Sequence, residues 1–528
     1  MDQPQASENQ QRGTAHPDQE HTPVLIVGGG LVGLSAGLFL QRQGVPFILI
    51  EQIDAPSILP RARGIHARSM ELFRQVGVEA DLQTAAKAAW KISGFGGARR
   101  GETMLTAQPI ADFKALMTTM GLETVPSPSQ FCACPQTTIE ETLLRPLVVR
   151  GGDVRFGHRL DHFEQDARGV TATVMDAQGQ NTRIHADYLI AADGGRGTIR
   201  REMGVASDRR EALQHYVNIY FTADFTDRMD GRTFSQCEIE NGQVKGLMTS
   251  VDNATRWSFH LEYDPQITDP ATFTSSDLTG FVQAALGDSD VPIEIIATTS
   301  WSTVVRVARQ YRDGRVFLVG DSAHVMPPWG GFGGNTGVAD AHNLAWKLAA
   351  VLDGRAADAL LDSYQTERHP AGRRAGEQAR LRTNFEARFQ IRTPENLEVF
   401  EQLEDVNVVL MKYPYPSAGE EVRPVEQLTA QLGTRFPHAW LLKTGKRLST
   451  LDLFGRAPVL LLGPTAPEEP LADSPSWAGN AQRVRLGKDV MFEESEMNWT
   501  RLTGLPDDRA VLVRPDGFVA ARIDCVTR

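Results

Sequence analysis

The chain has 528 residues, 41% of them hydrophobic and 23% charged, which suits roughly three ordinary domains around a sizeable core. A formal net charge of −12 offers no basic face for nucleic acid or an anionic membrane, and no apolar run reaches the roughly 18 residues of a membrane span. Four cysteines, Cys132, Cys134, Cys237 and Cys525, form neither a disulfide framework nor a zinc site, so reduced thiols, a cytoplasmic location and no metal are expected.

Met1 to Thr22 is rich in Gln, Glu, His and Pro without a hydrophobic centre, and reads as a disordered leader rather than a secretion signal. Val24 to Val27 then reads as a parallel strand buried on both faces. Gly28, Gly30 and Gly33 follow in the order G-x-G-x-x-G, with Leu31 and Val32 opening a helix that Gly44 stops. The first glycine permits a tight turn, the second lets backbone approach a pyrophosphate, and the third lets helix and strand pack closely. A second strand, Phe47 to Ile50, ends on Glu51 with Gln52 beside it, 23 residues after Gly28. A carboxylate there can accept from a ribose diol, so FAD or NAD is favoured over NADP.

An arginine-dense loop from Pro60 (Arg61, Arg63, Arg68) leads into a helix capped near Ser69, and its arginines can reach the phosphates of FAD or a transient NADPH. Gln136 starts another helix, with Thr137 a plausible cap, and could hydrogen-bond a cofactor. An antiparallel ribbon with a turn at Ala177–Gly179 leads to a buried strand, Tyr188 to Ala192, closing on Asp193-Gly194. Between about 205 and 305 the pattern alternates, as in Val217-x-Ile219-x-Phe221 and Trp257-x-Phe259-x-Leu261, which predicts a second sheet inserted between cofactor segments. Part of it could line a substrate pocket.

A third buried strand, Arg315 to Val319, ends in Gly320-Asp321. Trp329 to Gly337 reads as a glycine-rich loop before a helix from Val338 to Leu352, placing backbone N–H groups and a helix dipole where electron-rich atoms can be held. Residues 395–430 are punctuated by Pro414, Pro416 and Pro424, a linker signature. The remainder reads as a small α/β domain ending in a hairpin around Pro515-Asp516-Gly517.

The order G-x-G-x-x-G, Glu51, Asp193-Gly194, Gly320-Asp321 and the glycine loop to Asn335 resembles the single-component flavoprotein aromatic hydroxylases, which include para-hydroxybenzoate and phenol hydroxylases. The stretches Ser449–Gly455 and Val513–Gly517 look most like those of bacterial aromatic polyketide hydroxylases of the aklavinone type.

The resemblance implies a Rossmann-like FAD-binding domain (23–204 and 306–394), an inserted mixed or antiparallel β-sheet substrate domain (205–305), and a thioredoxin-like C-terminal domain (431–528) without redox cysteines. Gly28, Gly30, Leu31, Val32, Gly33, Glu51 and Gln52 would hold the adenosine and pyrophosphate of FAD, with Arg61 and Gln136 contacting the cofactor. Asp193 and Gly194 would serve FAD and NADPH, although Arg196 departs from the family pattern. Asp321 would bind the ribitol chain. Gly334 and Asn335 would present N–H groups to the flavin ring, and Pro328 would sit over its reacting face.

The implied chemistry reduces FAD with NADPH or NADH, adds O2 at the flavin C4a carbon, and passes the terminal oxygen of the hydroperoxide to a phenolic ring. Tyr220 and His260 are the candidates for hydrogen-bonding the substrate hydroxyl. Baeyer–Villiger oxidation or oxidative decarboxylation on the same scaffold is the alternative, and a homodimer is compatible with either.

Overall fold

Val24 to Val27 sit between two parallel neighbours, with Val24 opposite both Phe47 and Tyr188. That placement explains the unbroken apolar run, since both faces of such a central strand are covered by other elements. The computed structural model describes residues 19–55, 61–90, 96–112, 126–416, 423–467 and 475–523.

In the first sheet β1 (Gln19–Val27), β2 (Phe47–Glu51), β3 (Asp153–Phe156) and β4 (Asn181–Ala191) are joined by Val316–Leu318, in the spatial order 316–318, β4, β1, β2, β3. Helix α1 (Leu31–Gln43) links β1 to β2 and packs on α2 (Gln136–Val149) and α3 (Phe332–Leu352). Strand β1 starts at Gln19, four residues inside the expected leader, because Gln19 to Thr22 pair with Arg183 to Ala186. Residues 1–18 of that leader, Pro60 and Cys525 lie outside the described residues.

Among the described residues the inserted sheet has seven strands, including β5 (His215–Thr222), β6 (Arg256–Tyr263) and β7 (Glu294–Ser302). Phe221, Trp257 and Phe259 point into its core against the helix Ser275–Leu286, which the capping box of Thr274 and Asp277 starts. The sheet also takes in Gly97–Gly101 and Gln108–Ala111, so its chain is not confined to the 205–305 insert. Strand β8 (Val305–Ala308) then returns the chain toward the first sheet.

Two expectations are corrected. Helix α3 starts at Phe332 rather than Val338, absorbing most of the glycine loop. Its Gly337 packs where a β-carbon would lie 2.6 Å from Val32 Cγ2 and 2.9 Å from Gly320 Cα, so this glycine serves close packing rather than a loop. The 395–430 segment is no simple linker either: Leu397–Glu401 and Val406–Met411 are helical, and Val406 and Val409 pack with Phe332 and with Ala375 and Ala379 of α4 (Asp362–Leu381). Residues 417–422 of it are outside the described residues.

The C-terminal part holds a four-stranded sheet in the order Gln482–Arg485, Val459–Leu462, Ala510–Val513, Val519–Ile523, with one parallel and two antiparallel pairings as in a thioredoxin-like sheet. Buried charges fasten it to the first domain. Arg435 bonds Glu71, while Arg514 and Asp516 meet Glu367, Asn343 and Trp346 of α4 and α3.

Candidate active site

Three separated stretches of chain meet at one cavity of about 400 Å³. The first is the turn after β1. Gly28 has φ 114°, and a β-carbon there would stand 2.2 Å from the Ala192 carbonyl oxygen, so only glycine fits. A β-carbon on Gly33 would lie 1.8 Å from Gly28 O, which is why α1 can close onto the turn. Gly30 is different: among the described residues a β-carbon there would have only Glu140 Oε1 within 4 Å, at 3.5 Å, so the space above the N-terminus of α1 stays open. Gly30, Leu31 and Val32 line the cavity, whereas Gly28 and Gly33 shape the turn behind it. Glu51 accepts from Gly29 N–H at 2.6 Å and from Ile53 N–H at 3.0 Å, beside the turn but outside the lining, and Gln52 is exposed next to it.

The second stretch follows β4. Asp193 Oδ2 accepts from Ile199 N–H at 3.0 Å, while its Oδ1 is buried with no partner among the described residues. Burial pushes this carboxyl up. Gly194 lines the cavity at φ 77°, with nothing among the described residues within 4 Å of where a β-carbon would be.

The third runs from Val319 to Asn335. Asp321 opens into the cavity, its carboxyl pushed up by the surrounding protein against the pull of His324, Arg61 and Arg306. Gly333 and Gly334 lie in the first turn of α3, where N–H groups lack intrahelical acceptors, and Asn335 follows them on the cavity wall. A β-carbon on Gly334 would come 3.0 Å from Leu31 Cδ2, so the N-termini of α1 and α3 converge on one space. Two helix starts facing one cavity favour negative charge and electron-rich rings. Pro328 lines the cavity too, its carbonyl accepting from Gly331 N–H at 3.1 Å.

Buried polar groups hold these pieces in place. Asp340 accepts from Gly320 N–H at 3.1 Å, bonds His324 Nε2 at 2.7 Å and accepts from Arg368 Nε at 2.8 Å. Burial alone would raise its carboxyl, but Arg368 and His324 hold it below its ordinary value. Gln136 Oε1 accepts from Ala62 N–H at 3.0 Å and its amide donates to Glu140 at 2.7 Å, fixing the Arg61–His66 loop against α2. Arg61 and Gln136 both line the cavity.

The wall opposite these turns includes Gln236, Thr249 and His260 of the inserted sheet, with Trp329, Arg388 and Phe389. His260 Nδ1 accepts from Trp301 Nε1–H at 3.2 Å. An indole only donates, so neutral His260 carries its proton on Nε2. Burial, with Arg63 nearby, takes the pKa of His260 down to about 3. Arg388 lies 3.6 Å over the Trp329 ring and donates to Gln236 Oε1 at 2.8 Å. Burial lowers it to about 10, leaving it charged at neutral pH. Tyr220, opposite Ser258 in register, is buried but does not line the cavity, so only one of the two expected sheet residues reaches it.

Residues 21–379 match the FAD binding domain family, and residues 429–527 match the aromatic-ring hydroxylase C-terminal domain. The chain belongs to the FAD-dependent aromatic-ring hydroxylases. It is 38% identical to the tetracenomycin B2 monooxygenase-dioxygenase of Streptomyces olivaceus, covering 96% of each chain. It is 33% identical to an aklavinone 12-hydroxylase of Streptomyces purpurascens, covering 95% of each. Its structure resembles that of an aklavinone-11 hydroxylase in complex with FAD and aklavinone, with a TM-score of 0.83, 32% identity, and 98% and 97% of the two chains covered. The hydroxylase is thus an FAD-dependent monooxygenase related to enzymes that act on aromatic polyketides.

Several lining residues of the hydroxylase were not singled out from the sequence. His66 donates through Nε2 to Gly330 O at 2.9 Å, since a carbonyl can only accept, and its backbone N–H meets Asn335 Oδ1 at 2.9 Å. Burial lowers its pKa to about 4. Arg388 and Arg382 follow a long charged helix, where the sequence shows only a solvated face. Glu140 accepts from Leu31 N–H at 3.0 Å, and its spacing of four from Gln136 was the one available signal.

Proposed function

We propose that the hydroxylase binds FAD along the three convergent turns and uses a nicotinamide dinucleotide and O2 to hydroxylate a phenolic, polycyclic ring. The observation that carries this reading is the continuity of one cavity from the α1 and α3 N-termini to the wall holding His260, Trp329 and Arg388. The donor set suits FAD: open space at Gly30 and Gly194, first-turn N–H groups at Gly333 and Gly334 that lack intrahelical acceptors, with Asn335 and Arg61 also lining the cavity. Glu51 stands at the strand end suited to the adenosine ribose, and Asp321 at the position suited to the ribitol.

When bound, FAD supplies the two-electron and oxygen chemistry. The balance is one aromatic C–H, O2, NAD(P)H and H+ in, and one C–OH, H2O and NAD(P)+ out. The protein orients the ring, excludes water and favours the phenolate, whose ring is the more electron-rich. Arg388 and Arg382, charged and buried at the cavity wall, stabilise that anion. His260 presents Nε2–H as a donor to a substrate oxygen, and its low pKa makes it a poor base. Pro328 lines the cavity and would contact the bound ring system there. Free buried Cys132, Cys134 and Cys237 suit a cytoplasmic enzyme.

The test is aerobic incubation of the FAD-loaded enzyme with NADPH and a phenolic tetracyclic polyketide. NADPH oxidation tied to a product heavier by one oxygen, with its ring system intact, supports the reading. A lactone or a product that has lost CO2 points instead to Baeyer–Villiger or decarboxylating chemistry, and no turnover across a phenol panel contradicts it.

A further inference from the structure

The main cavity stops part-way along the inserted sheet. Gln236, Thr249 and His260 line it. Glu238, Leu247 and Glu262, two residues along on the same three strands and on the same face, line a separate pocket of about 20 Å³ together with Tyr216. The register agrees, with Glu238 opposite Leu247 and Glu262 opposite Tyr216. Such a volume holds a single water and no ring. Among the described residues, Trp329 and Arg388 alone line both spaces, so these two side chains are the partition.

The partition is fixed in place. The Arg388 guanidinium, 3.6 Å from the centre of the Trp329 ring, also donates to Gln236 Oε1 at 2.8 Å and to the Arg382 carbonyl at 3.0 Å. Trp301 meets Trp329 edge-on with 5.9 Å between ring centres, and stacks on Tyr216 at 4.7 Å. Trp329 Nε1 is buried with no hydrogen-bond partner among the described residues, so ring contacts and the cation hold the indole.

We propose that Trp329 sets the length of the ring system the hydroxylase accepts: its indole, backed by Arg388, ends the substrate cavity, and a longer ligand needs the space behind it. The inference rests on the reading above for the ligand being a polycyclic phenol, and names the residue that selects among such ligands. A terminal ring that reaches the indole gains an aromatic contact. One ring more would have to displace it. The indole is itself a fused bicycle, so truncating it to a methyl joins the two spaces and makes room for a further ring. The space behind carries Glu238, Glu262 and Tyr216, which can hydrogen-bond a hydroxyl, so beyond the partition a hydroxylated ring fits better than a bare one.

The experiment measures binding of linear phenolic quinones of three to six rings, hydroxylated on the terminal ring, to the FAD-loaded enzyme, read from the change in flavin absorbance. Trp329→Ala is expected to weaken the ligand that wild type binds best by about three- to tenfold, from the lost aromatic contact. It is also expected to move the tightest-binding length up by at least one ring, while Trp329→Phe keeps the wild-type order. An unchanged order of lengths in the alanine variant, or a uniform fall in affinity that preserves the order, assigns Trp329 a merely structural role and overturns the proposal. Should the alanine variant not hold FAD, Trp329→Leu is judged in its place, a shifted optimum supporting the proposal and an unshifted one overturning it. A wild-type enzyme that binds no polycyclic phenol overturns this inference and the function proposed above together. One that binds them without oxygenating them overturns the oxygenase reading alone.

Discussion

Two glycines in one turn have different jobs, and alanine at each separates them. At Gly28 the backbone has φ 114°, and the new β-carbon would stand 2.2 Å from Ala192 O and 2.6 Å from Ala192 C. The conformation alone costs about 1–3 kcal/mol for a non-glycine residue. Relieving the contact must also strain the bonds Gly28 N–H to Ile50 O and Ala192 N–H to Val27 O, both 2.8 Å, each worth about 1 kcal/mol net. Gly28→Ala is therefore expected to cost about 3–5 kcal/mol, a large share of the roughly 5–15 kcal/mol that stabilises a domain. At Gly30 φ is −80° and the nearest atom would be 3.5 Å away, so alanine should cost the apoprotein no more than about 1 kcal/mol. The added methyl occupies the approach to the α1 N-terminus, and losing one or two charge-assisted hydrogen bonds weakens FAD about 10- to 100-fold. Denaturant unfolding of the apoprotein and fluorescence titration with FAD measure the two effects separately. Gly30→Ala unfolding as easily as Gly28→Ala, or binding FAD as tightly as wild type, would refute the assignment.

Trp301→Phe removes the donor to His260 Nδ1, freeing the imidazole to change tautomer. In this variant kcat/KM for the aromatic substrate is expected to fall about 5- to 30-fold, a loss of about 1–2 kcal/mol, with flavin reduction unchanged in rapid mixing. Asp516→Ala leaves Arg514 short of a buried partner and strips acceptors from Trp346 and Asn343, costing about 3–5 kcal/mol, read as earlier unfolding with loss of FAD. Burial lowers the pKa of His66 to about 4 and of His260 and His342 to about 3. The unfolded chain then binds protons that the folded one refuses, so this part of the stability is present above pH 6.5 and declines as pH falls toward 4. Melting temperatures between pH 7.5 and 4.5 should show the decline, and His342→Asn should flatten it.

Legibility followed the backbone constraints. Gly28, Gly33 and Glu51 could be read because a strand, a turn that excludes a β-carbon and a strand-end acid are all local features. The start of α3 could not, because the three glycines of Phe332–Gly337 carry loop and packing signals that look alike until Val32 and Gly320 press against Gly337. The 395–411 helices were masked by prolines, and their role depends on long-range packing of Val406 against Phe332. Tyr220 and His260 alternate identically in sequence. Which of the two reaches the cavity depends on where each falls along the sheet, Tyr220 opposite Ser258 and beside an irregular pairing, His260 opposite Asn218 and bonded to Trp301 far along the chain.

A single-turnover reaction under isotopically labelled O2 shows whether the enzyme hydroxylates an aromatic ring with oxygen from O2. One labelled oxygen as a new ring hydroxyl, one NADPH consumed and an intact ring system are the predicted result. Label in a ring-expanded lactone, a hydroxyl oxygen drawn from water, or NADPH oxidation that never labels the aromatic product would contradict it.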